Sequence, residues 1–232
     1  MCSKIRLVIL DDHQSIIDGY MLRLNQAQDI EVVAMARFGE QIEPMLREHP
    51  SDVLILDVNV PTSADNPNPY PILHLIPKIL QRYPDLNVLV ISQYNQPALI
   101  KAVMDAGACG YILKEDYVTI QDLANVIRAV SRGDIYLSKQ AYQQLSKKLP
   151  KEISLTPRQQ EVLSLCTAFP DADTNELAQR LGVANSTVRN LLSGAYVRLD
   201  VRNRAAAIAK ARQLGLTTPS PPNIQLSQGS WD

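Results

Sequence analysis

VLILDVNVP (Val53–Pro61) joins four unbroken apolar residues to an aspartate and a step that ends in proline. A run without polar alternation fits a strand covered on both faces, as in a parallel sheet, and not one with a wet side. Asp57 then stands at the carboxyl end of that strand. Behind Pro61 comes TSADNPNPYP (Thr62–Pro71), a long polar stretch punctuated by Pro67, Pro69 and Pro71. The prolines stiffen this loop beside Asp57, and the expectation is that it partly shields the aspartate.

The same pattern recurs on either side. IRLVIL (Ile5–Leu10), IEVVAMA (Ile30–Ala36), VLVI (Val88–Ile91) and YIL (Tyr111–Leu113) are short, apolar and rich in β-branched residues. Between the runs, apolar residues fall at i, i+3, i+4 in Ile16–Leu24, Ile72–Leu80, Leu99–Met104 and Ile120–Val130. A further helix around Glu40–His49 contains Pro44, which is tolerable only near a first turn. Five strands alternating with five helices predict a doubly wound α/β domain with a five-stranded parallel sheet.

Four of the five runs end in a polar residue: Asp11-Asp12, Asp57, Ser92 and Lys114. The carboxyl ends of the strands in an open parallel sheet form the ligand crevice. Topology therefore brings three carboxylates, a hydroxyl and an ammonium to one edge. Carboxylates that close together repel and take up protons unless compensated. A hard divalent cation such as Mg2+ suits an all-oxygen set. A carboxylate beside it can act as nucleophile toward phosphorus, with Lys114 supplying further positive charge and Ser92 a hydrogen bond. His13 adjoins the acids and reads as a solvated loop residue, not a ligand.

Charge divides the chain. Residues 1–150 carry 14 Lys and Arg against 17 Asp and Glu, whereas residues 151–232 carry 9 against 7. Within 186–218 six basic residues face Asp200 alone, so the two halves suggest two jobs. Cys2, Cys109 and Cys166 are odd in number and far apart, which argues against a disulfide framework or a zinc site. MCSKIRLVILDD lacks a signal-peptide apolar region, and no apolar run reaches the roughly 18 residues a membrane span needs. A cytoplasmic protein without membrane contact is expected.

The back half is helical. Thr156-Pro157 with Gln159 reads as a helix start, with Thr as N-cap, Pro at the first position and Gln at the third. Helical patterns follow at 157–168, 174–181, 185–199 and 203–214. ELAQRLGVANSTVRNLL (Glu176–Leu192) is a helix, a tight turn at Gly182 and a second helix with a polar, basic face, which is the logic of a helix-turn-helix. Ser186 and Thr187 stand where a helix start can meet phosphate. Arg189, Asn190 and Ser193 share one exposed face, and Arg198, Arg202 and Arg204 could reach a DNA backbone.

LVILDDHQSIIDGY, LILDVNVP, VLVISQY and DAGACGYILK resemble the receiver domain of two-component response regulators. The resemblance implies a flavodoxin-like fold in which Asp57 is phosphorylated by a sensor histidine kinase. It further implies Mg2+ held by Asp11, Asp12, Asp57 and the backbone carbonyl of Asn59, with phosphate contact and switching by Ser92, Lys114 and Tyr111. LTPRQQEVL, NELAQRLGV, STVRNLL and LDVRNRAAAIAKA resemble the LuxR-type output domain of the NarL/FixJ branch. That implies sequence-specific binding to double-stranded promoter DNA as a homodimer. Departures are concentrated in two places. The family's glycines are missing after Asp57 and the span from Pro61 to Pro84 is longer. Extra residues in FPDAD (Phe169–Asp173) lengthen the turn between the first two output helices, and Ser186 and Leu191 replace a lysine and a histidine.

The expected organisation is a receiver at 1–133, a helical linker at 134–153, an all-α four-helix helix-turn-helix domain at 154–216 and a disordered tail at 217–232. The expected function is a transcriptional response regulator, not an enzyme. An aspartate-based phosphatase would want an acid two residues after its nucleophile, where Asn59 stands. Two alternatives remain open on sequence: a DNA-binding regulator with a phosphorylation-independent receiver, and a receiver-based adapter acting through protein contacts.

Overall fold

The computed structural model of the chain describes residues 4–146 and 155–218. Its first part is a parallel sheet ordered β2-β1-β3-β4-β5-β6. The strands are β1 (Ile5–Leu10), β2 (Ile30–Ala36), β3 (Val53–Leu56), β4 (Asn87–Ser92), β5 (Gly110–Leu113) and β6 (Tyr136–Leu137). Helices α1 (Gln14–Leu24), α2 (Ile42–Glu48), α3 (Ile72–Arg82) and α4 (Pro97–Asp105) form the crossovers. The segment expected as one helix over 120–130 is two, α5 (Tyr117–Gln121) and α6 (Leu123–Ser131), divided at Asp122. Pro44 is the third residue of α2, the first-turn position that its missing N–H permits.

The continuous apolar runs are explained by two cores. Leu7, Ile9, Val53, Ile55, Leu89 and Ile91 pack with α1 and α6 on one face. Val8, Leu10, Leu54, Leu56, Val88 and Val90 pack with α2, α3 and α4 on the other. Successive strand residues alternate between the faces, so a strand buried on both sides needs an apolar residue at every position.

A sixth strand adds to the five expected. β6 is only two residues long and pairs with β5 through Gly110–Tyr136 and Tyr111–Leu137. A Cβ at Gly110 would lie 2.5 Å from the Tyr136 carbonyl oxygen, so the close approach requires glycine. The chain then enters α7 (Lys139–Leu145), whose Ala141 is buried in the same core as α4. Residues 134–146, expected as linker, thus lie against the sheet; 147–153 fall outside the described residues.

The second part has the four expected helices: α8 (Pro157–Ala168), α9 (Thr174–Leu181), α10 (Asn185–Leu199) and α11 (Arg204–Gln213). Thr156 and Gln159 form the capping box expected at the start of α8, and Asp173 with Glu176 forms another on α9. Val162, Leu163, Cys166, Leu177, Val188, Leu192, Leu199 and Ala207 make a separate core. Gly182 ends α9 with φ 65° in the left-handed region. Space around its Cα is open, so Gly182→Ala should cost only the backbone strain, about 1 kcal/mol. Urea unfolding should show that loss with the helical content of the native state unchanged. Thr217 and Thr218, placed in the tail by sequence, are buried; residues 219–232, Trp231 among them, lie outside the described residues.

Candidate phosphoacceptor site and helix-turn-helix surface

The order β2-β1-β3 puts the chain reversal between β1 and β3, and the carboxyl ends of those two strands carry Asp11, Asp12 and Asp57. Asp57 is 3% exposed and Asp11 1%. The Lys114 ammonium bridges them, donating to Asp11 Oδ2 at 2.7 Å and Asp57 Oδ2 at 2.8 Å. Its position follows from β5, the neighbour of β4, and from the Lys114 N–H that donates to the Ser92 carbonyl at 2.8 Å. The Asn59 N–H donates to Asp57 Oδ1 at 3.3 Å. Ser92 is fully buried at the tip of β4, and its hydroxyl oxygen accepts from the Tyr94 N–H.

Burial pushes the Asp57 carboxyl up from its ordinary value; Lys114 pulls it down, and the neighbouring charge of Asp11 adds to the rise. Burial by itself would lower the Lys114 ammonium, but Asp57 and Asp11 carry it above its usual value. Two anions and one cation in a near-dry site leave one negative charge uncompensated, and Asp12 adds another.

Carboxylate oxygens of Asp11, Asp12 and Asp57 lie with a His13 ring nitrogen within 4.8 Å of one another. The donor set is hard and anionic, and it fits Mg2+. A buried Asp12 Oδ1 without a hydrogen-bond partner supports that fit, although it lies 2.8 Å from His13 Nδ1. His13, read from sequence as a solvated loop residue, has a side chain 55% exposed and yet borders this cluster. Its adjacency to the acids was the available signal.

Tyr111 is fully buried, and its hydroxyl donates to the Tyr94 carbonyl at 2.7 Å. Tyr94 is a residue that strand-tip reasoning missed, because it lies in a loop two positions beyond Ser92. The 62–71 loop does not close over Asp57 through its hydrogen bonds. Pro61 and Thr62 carbonyls accept from the N–H groups of Gly39 and Glu40, and Thr62 is clamped to the Asn68 carbonyl. Gly39 is needed there, since a Cβ would collide with the Tyr70 ring at 2.0 Å.

On the helical domain, Ser186, Thr187, Arg189, Asn190 and Ser193 are all exposed along α10, and Arg198 and Arg202 are exposed beyond them. No side chain caps the start of α10. Arg204 departs from the expectation that it reaches outward. Its guanidinium donates to the carbonyls of Ala172 at 2.5 Å and Phe169 at 3.0 Å. The lengthened turn after α8 presents carbonyls that need a donor, and Arg204 is consumed in supplying it.

Residues 7–128 match the family described as response regulator receiver domain. The chain belongs to the response regulators. Residues 153–211 of this response regulator also match the family described as bacterial regulatory proteins, luxR family. It is similar to the transcriptional regulatory protein DegU of Brevibacillus brevis, with 27% identity over 92% of this chain and 95% of that one. It is also similar to the transcriptional regulatory protein DesR of Bacillus subtilis, with 28% identity over 91% and 98%. Among solved structures, RcsB from Salmonella enterica serovar Typhimurium, bound to promoter P1flhDC with the phosphomimetic BeF3-, matches at 25% identity and TM-score 0.59. That match covers 93% of this chain and all of the other. The response regulator therefore pairs a receiver with a LuxR-type DNA-binding domain, the construction of transcription regulators. Among the described residues no helix is long and apolar enough to cross a membrane.

Proposed function

We propose that this response regulator accepts a phosphoryl group on Asp57 from a sensor histidine kinase and thereby controls dimerisation and binding of promoter DNA in the cytoplasm. The observation that carries the reading is the Lys114 bridge between two nearly dry carboxylates at the sheet's carboxyl edge. An Asp57 carboxylate oxygen attacks phosphorus as the bond from phosphorus to the kinase imidazole breaks, and the electron pair leaves on that nitrogen. Lys114 moves with the negative charge from the bare carboxylate to the phosphoryl oxygens. Asp11, Asp12, Asp57 and the Asn59 carbonyl would hold Mg2+, which when bound neutralises phosphoryl charge. Ser92 donates to the attached group, and Tyr111 follows the resulting shift of the β4 end through its bond to the Tyr94 carbonyl.

Ser186, Thr187, Arg189, Asn190 and Ser193 are the proposed DNA-facing set on α10, with Arg198 and Arg202 toward the backbone. The domain limits we adopt are those expected from sequence, 1–133, 134–153, 154–216 and 217–232. Intact-protein mass after incubation with acetyl phosphate and Mg2+, and with a cognate kinase, tests the acceptor. No added phosphoryl group under either condition would overturn it. Arg189→Ala and Arg204→Ala test the DNA surface as a pair. Arg189→Ala should weaken specific binding by about 1–3 kcal/mol and leave the unfolding midpoint unchanged. Arg204→Ala should cost about 1–3 kcal/mol of stability by stranding two carbonyls. Its folded fraction should keep wild-type affinity in a promoter-binding titration.

A further inference from the structure

The two places where the sequence departs most from its family, the 62–71 loop and the turn after α8, meet in space. Asn66 Nδ2 donates to the Ala168 carbonyl at 3.0 Å across 102 residues of sequence. Asp65, Asn66, Pro67 and Asn68 line one cleft together with Phe169, Pro170, Asp171 and Ala172. The Arg180 guanidinium stacks on the Phe169 ring, 3.6 Å from its centroid. Lys78 of α3 donates to the Arg180 carbonyl at 3.1 Å. His74, buried on α3, pairs through Nδ1 with Glu161 of α8, whose other oxygen accepts from Arg158 at 2.8 Å.

A second contact lies at the other end of the output domain. Gly215, just past α11, comes so close to the loop before α4 that a Cβ there would sit 2.4 Å from Gln96 Cβ. Ala98 of α4 belongs to the output domain's apolar core. Gln96 lies four residues after Ser92, so this contact reports on the strand tip that faces the phosphoacceptor.

Between these contacts α8 is buried on every side. Residues 162–168 have no exposed member, although a surface helix keeps one polar face in water. Its own domain covers one side, and α3 of the receiver covers the other. The covering is imperfectly polar-matched: Ser164 Oγ, one helical turn from Glu161, has no hydrogen-bond partner, nor do Gln96 Oε1 and Arg212 Nε. Burying such groups unpaired costs stability, and water would satisfy them on separation. The contact is therefore built to come apart. The DNA-facing residues of α10 remain exposed while it is made.

We propose that the 62–71 loop and the 169–172 turn are an intramolecular clasp, docking the output domain on α3 and on the loop before α4 while leaving α10 open. The clasp governs where a bound output domain can sit relative to its receiver, and hence to a second copy. It does not govern whether one domain reaches DNA. The docking half stands without any phosphorylation; the DNA half rests on the function proposed above.

The test uses the full chain without phosphodonor. One variant lacks residues 63–68, bridged by two glycines; a second is Glu161→Gln, which folds if its circular dichroism matches wild type. Small-angle scattering should show a larger radius of gyration in both. Affinity for a short random-sequence duplex at low salt should stay within about twofold of wild type. An unchanged radius in both variants would overturn the clasp. A larger radius with affinity raised about tenfold or more would overturn its open-α10 half, since the docked form would then be hiding the DNA surface.

Discussion

Lys114→Ala is expected to destabilise the receiver by about 3 kcal/mol at neutral pH, the cost of leaving buried charge without its partner. Lys114 is the cation described between Asp11 and Asp57, at 2.7 and 2.8 Å, and both carboxylates are nearly inaccessible. Without it the two acids face only each other. Each would hold its proton to a higher pH in the folded than in the unfolded chain. Stability contributed by such groups is complete below the unfolded carboxylate value, 3.8, and is lost as pH rises through the raised folded value. The variant should therefore lose stability from pH 4 to 7 relative to wild type. A divalent cation that binds the folded form alone should restore part of the loss in proportion to its saturation. Urea unfolding at three pH values, with and without Mg2+, reads both effects. A pH-independent loss of under 1 kcal/mol, unaltered by Mg2+, would show that the Lys114 bridge is a surface pair in energetic terms.

Asp57→Asn should abolish phosphoryl incorporation while making the unphosphorylated protein more stable. The loss is complete because an amide oxygen is no nucleophile toward phosphorus at neutral pH and the other acids sit on β1. The gain has a separate cause. Burial and the neighbouring Asp11 raise the Asp57 carboxyl above 3.8 despite Lys114. With its folded value raised, ionised Asp57 detracts from stability at neutral pH. Asparagine keeps the shape and removes the charge, and Lys114 retains Asp11. A gain of about 1 kcal/mol is expected at pH 7 without Mg2+, shrinking as pH falls toward 4. Intact mass after acetyl phosphate and calorimetry on the same samples check the two halves independently. A phosphorylated Asp57→Asn protein would move the acceptor elsewhere, and a lower melting temperature would mean that the carboxylate's bonds to Lys114 and Asn59 outweigh its burial.

Much of the fold was readable because its instructions are local. Period, β-branching and terminal polar residues located the five main strands, and the order of Asp11-Asp12, Asp57, Ser92 and Lys114 along the chain gave the site. The caps at Thr156 and Gly182 placed output helices to within a residue, since each cap concerns only the neighbouring turn. β6 escaped notice because two residues carry no periodicity; its place depends on the room that Gly110 leaves on β5. The break at Asp122 escaped for a similar reason, as apolar spacing runs through it.

What sequence alone determined about this response regulator is the parallel sheet, the four-helix output domain and the residue types gathered at the strand tips. Only the tertiary structure decided how those residues are used. Arg204 looked like another basic residue for DNA, and packing turned it onto the carbonyls of a lengthened turn. The 62–71 loop looked like a cover for Asp57, and it reaches the output domain instead. The reason is physical. Hydrophobic period and helix caps act between residues a few positions apart, so they can be read along the chain. The partner of a long polar side chain is whichever group the folded chain brings within about 3 Å, and at Asn66 that group is 102 residues away.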